Sequence, residues 1–169
     1  MSGRAPEPPP GPERDILLGW LAFHRDALAA KCHGVAPDDL VRTGLGGSTM
    51  SLLGLVRHLT EMERVYATYS LGASAGAELE FVYGPYDDGG PDGDFDGLTR
   101  DVVEGSIEAW HVECAAADAA IASLVSLDHA RPGSERSARW CLVKLVHEYA
   151  RHNGHADLIR QSIDGATGE

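Results

Sequence analysis

The chain has 169 residues, of which 43% are hydrophobic and 24% charged, a composition that predicts one soluble globular domain with a buried core. Its 26 acidic and 14 basic residues give a formal net charge of -12 at pH 7. This charge argues against a nucleic-acid-binding surface and against binding to anionic membranes, because both need clustered lysines and arginines.

The first 12 residues are rich in proline and are predicted to form a disordered tail or to lie on the surface, ahead of a single domain over residues 13–169. They contain no apolar stretch of the kind found in signal peptides, and no segment approaches 18 uninterrupted apolar residues. Neither export nor membrane spanning is therefore expected. The three cysteines are far apart and odd in number, which predicts free thiols and a cytoplasmic location.

Apolar spacing predicts four long helices, over residues 13–34, 51–72, 98–127 and 137–163. Ser48 or Thr49 is the expected cap of the second helix. Residues 73–97 are rich in glycine, proline and aspartate and predict a long connection, which in compact domains is often a functional lid. Because almost no alternating strand pattern is present, the sequence predicts an all-α four-helix bundle with a long connection between helices two and three.

The fourth helix carries a cluster of polar residues, His147, Glu148, His152 and His155. At about 100° per residue, Glu148 and His152 fall within or at the margin of the buried stripe as i, i+4 neighbours. His155 falls just beyond that stripe, and His147 points away from it. The same reasoning directs His58 of the second helix inward.

These inward side chains suggest a metal site. A carboxylate in a bundle core is costly without a partner, and no inward lysine or arginine is evident beside Glu148. Two neutral imidazoles, His58 and His152, together with the Glu148 carboxylate would hold a divalent cation and leave a coordination position open, as in catalytic sites. The alternative is a plain hydrogen-bonded His–Glu pair in the core.

Three other features receive simpler interpretations. The segment DGDFDG, residues 92–97, begins like a calcium loop but has Val103 where the bidentate glutamate is needed, so an acidic turn before a helix is favoured. Glu61 is predicted to be a solvated charge at the rim, and Cys141 a buried thiol without an activating environment. The tryptophans are predicted to anchor the core or a dimer interface: Trp20, Trp110 and Trp140.

The segments LLGLVRHLTEMER and EYARHNGHADLIRQSIDGATGE resemble the DinB superfamily, in particular an actinobacterial branch related to the mycothiol-dependent maleylpyruvate isomerases. The resemblance extends from about Asp15 over most of the chain. It implies a four-helix bundle of up-down-down-up order, often a homodimer, with a divalent metal held by one ligand from helix two and an i, i+4 pair from helix four. His58 and His152 match histidine ligands of that family, and Glu148 takes the place of the middle histidine. His155 matches a position commonly occupied by glutamine, where it would support a ligand or be a fourth one.

The resemblance also implies a chemistry, in which a low-molecular-weight thiol such as mycothiol or bacillithiol is the cosubstrate. A metal with an open position can bind a thiol, lower its pKa and hold the thiolate beside an electrophile. We therefore predict a zinc- or nickel-dependent thiol transferase or isomerase acting on a small electrophile. His155, or a glutamate at the end of helix two, Glu61 or Glu63, would move protons, and the helical angle of Glu61 argues against that residue. A metal- or ligand-binding protein without turnover, and a bundle whose polar core is purely structural, are the alternatives.

Overall fold

Helices form the framework of the computed structural model, which describes residues 5–44, 46–72, 76–84, 86 and 92–166. Within these residues there is no β-strand, only an isolated bridge between Ala130 and Ser137. The prediction of an all-α protein is confirmed. The five α-helices of the described residues are α1 (Glu13–Cys32), the short α2 (Pro37–Leu40), α3 (Leu52–Glu63), α4 (Val103–Ala122) and α5 (Ala138–Asp164).

The ends of the helices follow local capping chemistry. Helix α3 begins after Ser51, whose Oγ accepts a hydrogen bond from the backbone N of Gly54 at 3.1 Å. The prediction of Ser48 or Thr49 as this cap was therefore wrong, because residues 48–51 are still extended or turned there. Helix α5 begins after Ser137, which is the predicted start of the fourth helix and whose Oγ accepts a hydrogen bond from the backbone N of Trp140. The helix ends at Gly165, whose φ of +78° is typical of a glycine C-cap.

The second predicted helix changes its winding after Glu63. Residues Arg64–Gly72 continue α3 as a π-helical segment, so side chains beyond Glu63 do not follow a spacing of 100° per residue. A 3-10 turn, Arg100–Val102, similarly leads into α4. The helical spacing of apolar residues predicted where these helices lie, but it did not predict the π-helical segment or the 3-10 turn.

Helices α1 and α5 pack together, as do α3 and α4, and α3 also contacts α5. Buried leucines and isoleucines join the four long helices, among them Leu21, Leu59, Ile121 and Leu145. Of the three tryptophans, Trp110 is buried as predicted for a core anchor, whereas Trp140 is exposed. None of the helices in the described ranges is long and apolar enough to cross a membrane.

A buried polar network also ties α1, α3, α4 and α5 together. The Glu63 carboxylate accepts hydrogen bonds from Arg25 at 2.6 and 2.7 Å and from the Tyr149 hydroxyl at 2.7 Å. Trp110 Nε1 in turn donates to the Tyr149 oxygen at 2.8 Å. Because Glu63 is fully buried and bound on both oxygens, it serves helix packing and cannot reach a substrate.

The segments outside the helices lie against them where they are described. Ala5 N donates to Asp26 Oδ2 at 2.8 Å, and Pro8 lies against Gly19, so residues 5–12 follow the surface of α1. Residues 1–4 of the predicted tail lie outside the described residues, as do 73–75, 85 and 87–91 of the predicted long connection. Of the described parts of that connection, Tyr86 and the turn at residues 92–97 reach the candidate site.

Candidate metal centre

The three predicted metal ligands come together where α3 meets α5. One ligand atom from each of His58, Glu148 and His152 lies within 4.8 Å of the other two. Glu148 Oε2 is 3.4 Å from His152 Nε2 and 3.9 Å from His58 Nε2. Ligands bound tetrahedrally at about 2.1 Å from a zinc ion lie about 3.4 Å apart, so small side-chain movements would complete such a set.

Asp94 fixes the orientation of the His58 ring. Its Oδ2 lies 3.1 Å from His58 Nδ1, and its Oδ1 accepts a hydrogen bond from the Tyr86 hydroxyl at 2.7 Å. A carboxylate with that partner accepts at Oδ2, so in the neutral form of the His58 ring the proton lies on Nδ1 and the lone pair on Nε2. Carboxylate–histidine contacts of this kind orient histidine ligands in metalloproteins.

The His58 Nε2 atom is buried and has no hydrogen-bond partner among the residues that the structure describes. Its lone pair faces a carboxylate oxygen and a second imidazole, which are themselves acceptors. Because a buried acceptor without a donor is costly, a cation between these atoms would remove an unfavourable arrangement. The residues of this structure therefore fit a divalent metal ion.

Glu148 is buried but does not lack cationic partners. Lys144 donates to Oε1 and Arg151 donates to Oε2. The expectation that no lysine or arginine would satisfy Glu148 was wrong, because both side chains bend back from the rim at i, i+4 and i, i+3 spacing along α5. Burial by itself would raise the pKa of Glu148, but these hydrogen bonds and charges hold it at about 2, so the group is a carboxylate at neutral pH.

The hydrogen bonds of His152 establish its protonation state. Arg151 Nη2, which can only donate, lies 2.9 Å from His152 Nε2, so this nitrogen carries a lone pair. Burial, together with the positive charge of the adjacent Arg151, lowers the pKa of His152 to about 4. A neutral imidazole with a lone pair on Nε2 is the form that binds metals.

His155 lies behind His152 in this arrangement. Its Nδ1 is 3.3 Å from His152 Nδ1, which carries the proton and therefore donates to it. His155 is half-buried and lies outside the set of atoms that share the 4.8 Å cluster, whereas His147 is exposed, as predicted. The structure thus places His155 where it supports the orientation of His152.

Two other acidic residues lie in surroundings that differ from those predicted from the sequence. Glu61 is 1% exposed rather than solvated, because the chain near Tyr83 folds over it and Tyr83 N donates to its Oε1 at 2.6 Å. Asp94 belongs to the acidic turn predicted before a helix, yet it is buried against His58. The available signal for Asp94 was weak, since Asp92 and Asp96 alternate with it in the same turn.

The cysteine thiols are poor nucleophiles in this fold. Burial raises the pKa of Cys32 to about 12 and also raises the pKa values of Cys114 and Cys141. All three are free and at least half-buried, and Cys141 is fully buried, as predicted. The reactive thiol of any thiol-transfer chemistry would therefore come from a cosubstrate.

The comparison with protein families identifies the chain. The family model of the mycothiol-S-transferases matches residues 16–165, nearly the whole of the helical region. This protein belongs to the mycothiol-S-transferase family. The family lies within the DinB-like superfamily, which confirms the resemblance seen in the two helical segments. No curated protein and no solved structure matches the chain.

Membership of the mycothiol-S-transferase family indicates a mycothiol-dependent transferase. The matched region includes α3 and α5 and therefore every residue of the His58, Glu148 and His152 cluster. The family match and the geometry of the cluster thus indicate the same part of the molecule as the candidate reaction site.

Proposed function

We propose that this protein is a metal-dependent thiol transferase that binds one divalent ion through His58, Glu148 and His152. The observation that carries the proposal is the buried Nε2 atom of His58, which lies beside two further acceptors and has no donor within the described ranges of the chain. Two imidazoles and one carboxylate suit zinc or nickel and leave a coordination position open. A metal in this position supplies a Lewis acid that lowers the pKa of a bound thiol and holds it as a thiolate.

The chain's own residues prepare the site for such a thiol. Asp94 keeps the His58 proton on Nδ1, and His155 keeps the His152 proton on Nδ1, so in each ring Nε2 is the nitrogen that can bind a metal within the cluster. In the transfer, the thiol sulfur would form a bond to the electrophilic carbon. The leaving group would depart with its electron pair, and the thiol proton would pass to solvent or a nearby base.

The thiol is mycothiol or a similar low-molecular-weight thiol in this proposal, and the second substrate is a small electrophile. A role of His155 in moving protons remains a prediction, and its contact with His152 supports a positioning role instead. We also propose the up-down-down-up helix order of the superfamily, a homodimer, and a cytoplasmic location. The free thiols support the location.

One observation favours a second interpretation, in which the cluster is a structural polar core. Lys144 and Arg151 already neutralise Glu148, so Glu148 and His152 are satisfied without a metal. The unpartnered His58 Nε2 argues against this interpretation. A metal- or ligand-binding protein without turnover is the remaining alternative.

Metal content and thiol consumption together separate these functions. Protein purified without a histidine tag should contain about one zinc or nickel ion per chain and should accelerate the reaction of mycothiol with iodoacetamide. The His58→Ala, His152→Ala double variant should lose both properties, while the exposed His147→Ala control keeps them. Metal without acceleration would indicate a binding protein, and undiminished metal in the double variant would reject this ligand set.

A further inference from the structure

The Arg151 guanidinium occupies the edge of the proposed metal position. Its Nη2 atom donates to Glu148 Oε2 and lies 2.9 Å from His152 Nε2. These are two of the three atoms that would bind the ion, and the third, His58 Nε2, is 3.9 Å from the same carboxylate oxygen. One side chain of the protein therefore uses the same acceptors as the metal would.

His152 Nε2 cannot contact Arg151 and a metal ion at the same time. An imidazole nitrogen has a single lone pair in the ring plane, and it is directed either at an N–H donor or at a cation. A guanidinium about 3 Å from a divalent ion would also be strongly repelled. Arg151 must therefore leave Glu148 and His152 before those atoms can serve as metal ligands.

The structure leaves Arg151 free to make that movement. Its side chain is 49% exposed, whereas the Glu148 side chain is 4% exposed. Lys144 bonds the other carboxylate oxygen, Oε1, so it can remain in place while Oε2 changes partner. Glu148 is the carboxylate that Arg151 contacts among the described residues, so its release would leave the guanidinium available to another anion.

The two cations that contact Glu148, Lys144 and Arg151, contrast with the overall charge of the protein, which is -12. Lys144 and Arg151 together exceed the charge of Glu148, and Asp94 is occupied by His58 and Tyr86 on the other side of the cluster. A planar guanidinium recognises carboxylates through paired N–H donors. Although the protein as a whole is strongly acidic, the local positive charge of these two side chains favours the binding of anionic ligands there.

We infer that Arg151, released from Glu148 and His152, forms an anion-binding subsite with Lys144 and selects small-molecule substrates that carry a carboxylate close to the reacting atom. This inference rests on the proposed metal site and specifies the substrate class that the site accepts. Arg151 is thus a specificity-determining residue. Its removal also frees two ligand atoms from a competing cation.

Thiol binding to cobalt(II)-loaded protein tests the subsite without requiring turnover. The probes are 3-mercaptopropionate and its neutral amide, 3-mercaptopropionamide, and binding is followed by the cobalt–thiolate charge-transfer absorption. The acid should bind about tenfold more tightly than the amide to the wild type, as expected for one charge-assisted pair. Arg151→Gln should remove that preference. Arg100→Gln, which changes a surface ion pair whose side chains are 61% and 70% exposed, should retain it.

Competition with a chromogenic chelator gives a second, independent measurement. Arg151→Gln should bind zinc about tenfold more tightly than the wild type, because the competing guanidinium is gone. Weaker or unchanged zinc binding by this variant, or equal binding of acid and amide by the wild type, would overturn the inference. Preference for the acid without any thiol transfer would refute the proposed function and leave the subsite standing. Thiol transfer without that preference would refute the subsite alone.

Discussion

Asp94 Oδ2 and His58 Nδ1 lie 3.1 Å apart, and this contact directs the other nitrogen of His58 toward Glu148 and His152. The two residues come from different parts of the chain, a turn in the long connection and the middle of α3. Tyr86 holds the second oxygen of Asp94, so the carboxylate is fixed at both ends. The position of a buried loop carboxylate thus decides which ring nitrogen of His58 faces the cluster.

Replacing Asp94 should weaken metal binding without removing a ligand. Asp94→Asn keeps the shape of the side chain but loses the charge that holds the His58 proton on Nδ1, and we expect metal affinity to fall about tenfold or more. Chelator competition on the purified variant measures this change. The exposed Asp101→Asn variant is the control. Unaltered affinity in Asp94→Asn would show that this contact does not position a ligand.

Glu148 is expected to act as a ligand rather than as a general base. Glu148→Gln preserves volume and removes the anion, so metal content should fall while circular dichroism still shows a folded helical protein. If Glu148 were instead a base beside a metal held by His58, His152 and His155, the variant would keep its metal and lose thiol-dependent activity. Elemental analysis and the activity assay on the same preparation separate the two roles.

Removal of the metal should lower thermal stability, because the ion would tie α3 to α5. Binding at a thousandfold excess over the dissociation constant stabilises the folded state by about 4 kcal/mol, or roughly 10 °C in melting temperature for a chain of this size. Calorimetry of metal-saturated and chelated protein at neutral pH measures the difference. The His58→Ala, His152→Ala variant should melt at one temperature under both conditions. Equal melting temperatures in the wild type would mean that no ion connects the two helices.

The buried Glu61 carboxyl should make stability depend on pH. Burial raises its pKa, and the nearby Asp94 charge adds to this, so the folded state holds the Glu61 proton more tightly than the unfolded chain does. The resulting loss of stability is absent below the unfolded pKa of about 4.3 and develops as pH rises through the folded pKa. In metal-free protein, Glu61→Gln should therefore exceed the wild type in unfolding free energy at pH 8, and the gap should narrow toward pH 5.

Urea denaturation at both pH values checks this expectation. The exposed Glu108→Gln variant on α4 removes the same charge from the surface and should show no such trend. A Glu61→Gln variant that is less stable than the wild type at pH 8, with a gap that does not change with pH, would mean that Glu61 stabilises the fold as a charged group.

The sequence alone determined the helices and the faces that they bury. Helical periodicity is a local property, so it placed His58 on the inner face of the second helix and Glu148 with His152 on that of the fourth. The same local rule failed for Glu61, because exposure there depends on a distant segment near Tyr83 that folds over the helix. Periodicity tells which way a side chain points, but it does not tell what lies in front of it.

The tertiary structure alone decided how the cluster is completed. Asp94 reaches His58 across 36 positions of sequence, and no helical rule relates a loop carboxylate to a particular histidine. Arg151 and Lys144 lie near Glu148 in sequence, yet their contact with it depends on how long, flexible side chains bend from the rim toward a buried charge. Local pattern therefore fixed which residues point inward. The path of the connection and the side-chain conformations, which depend on the whole packed molecule, fixed their partners and protonation states.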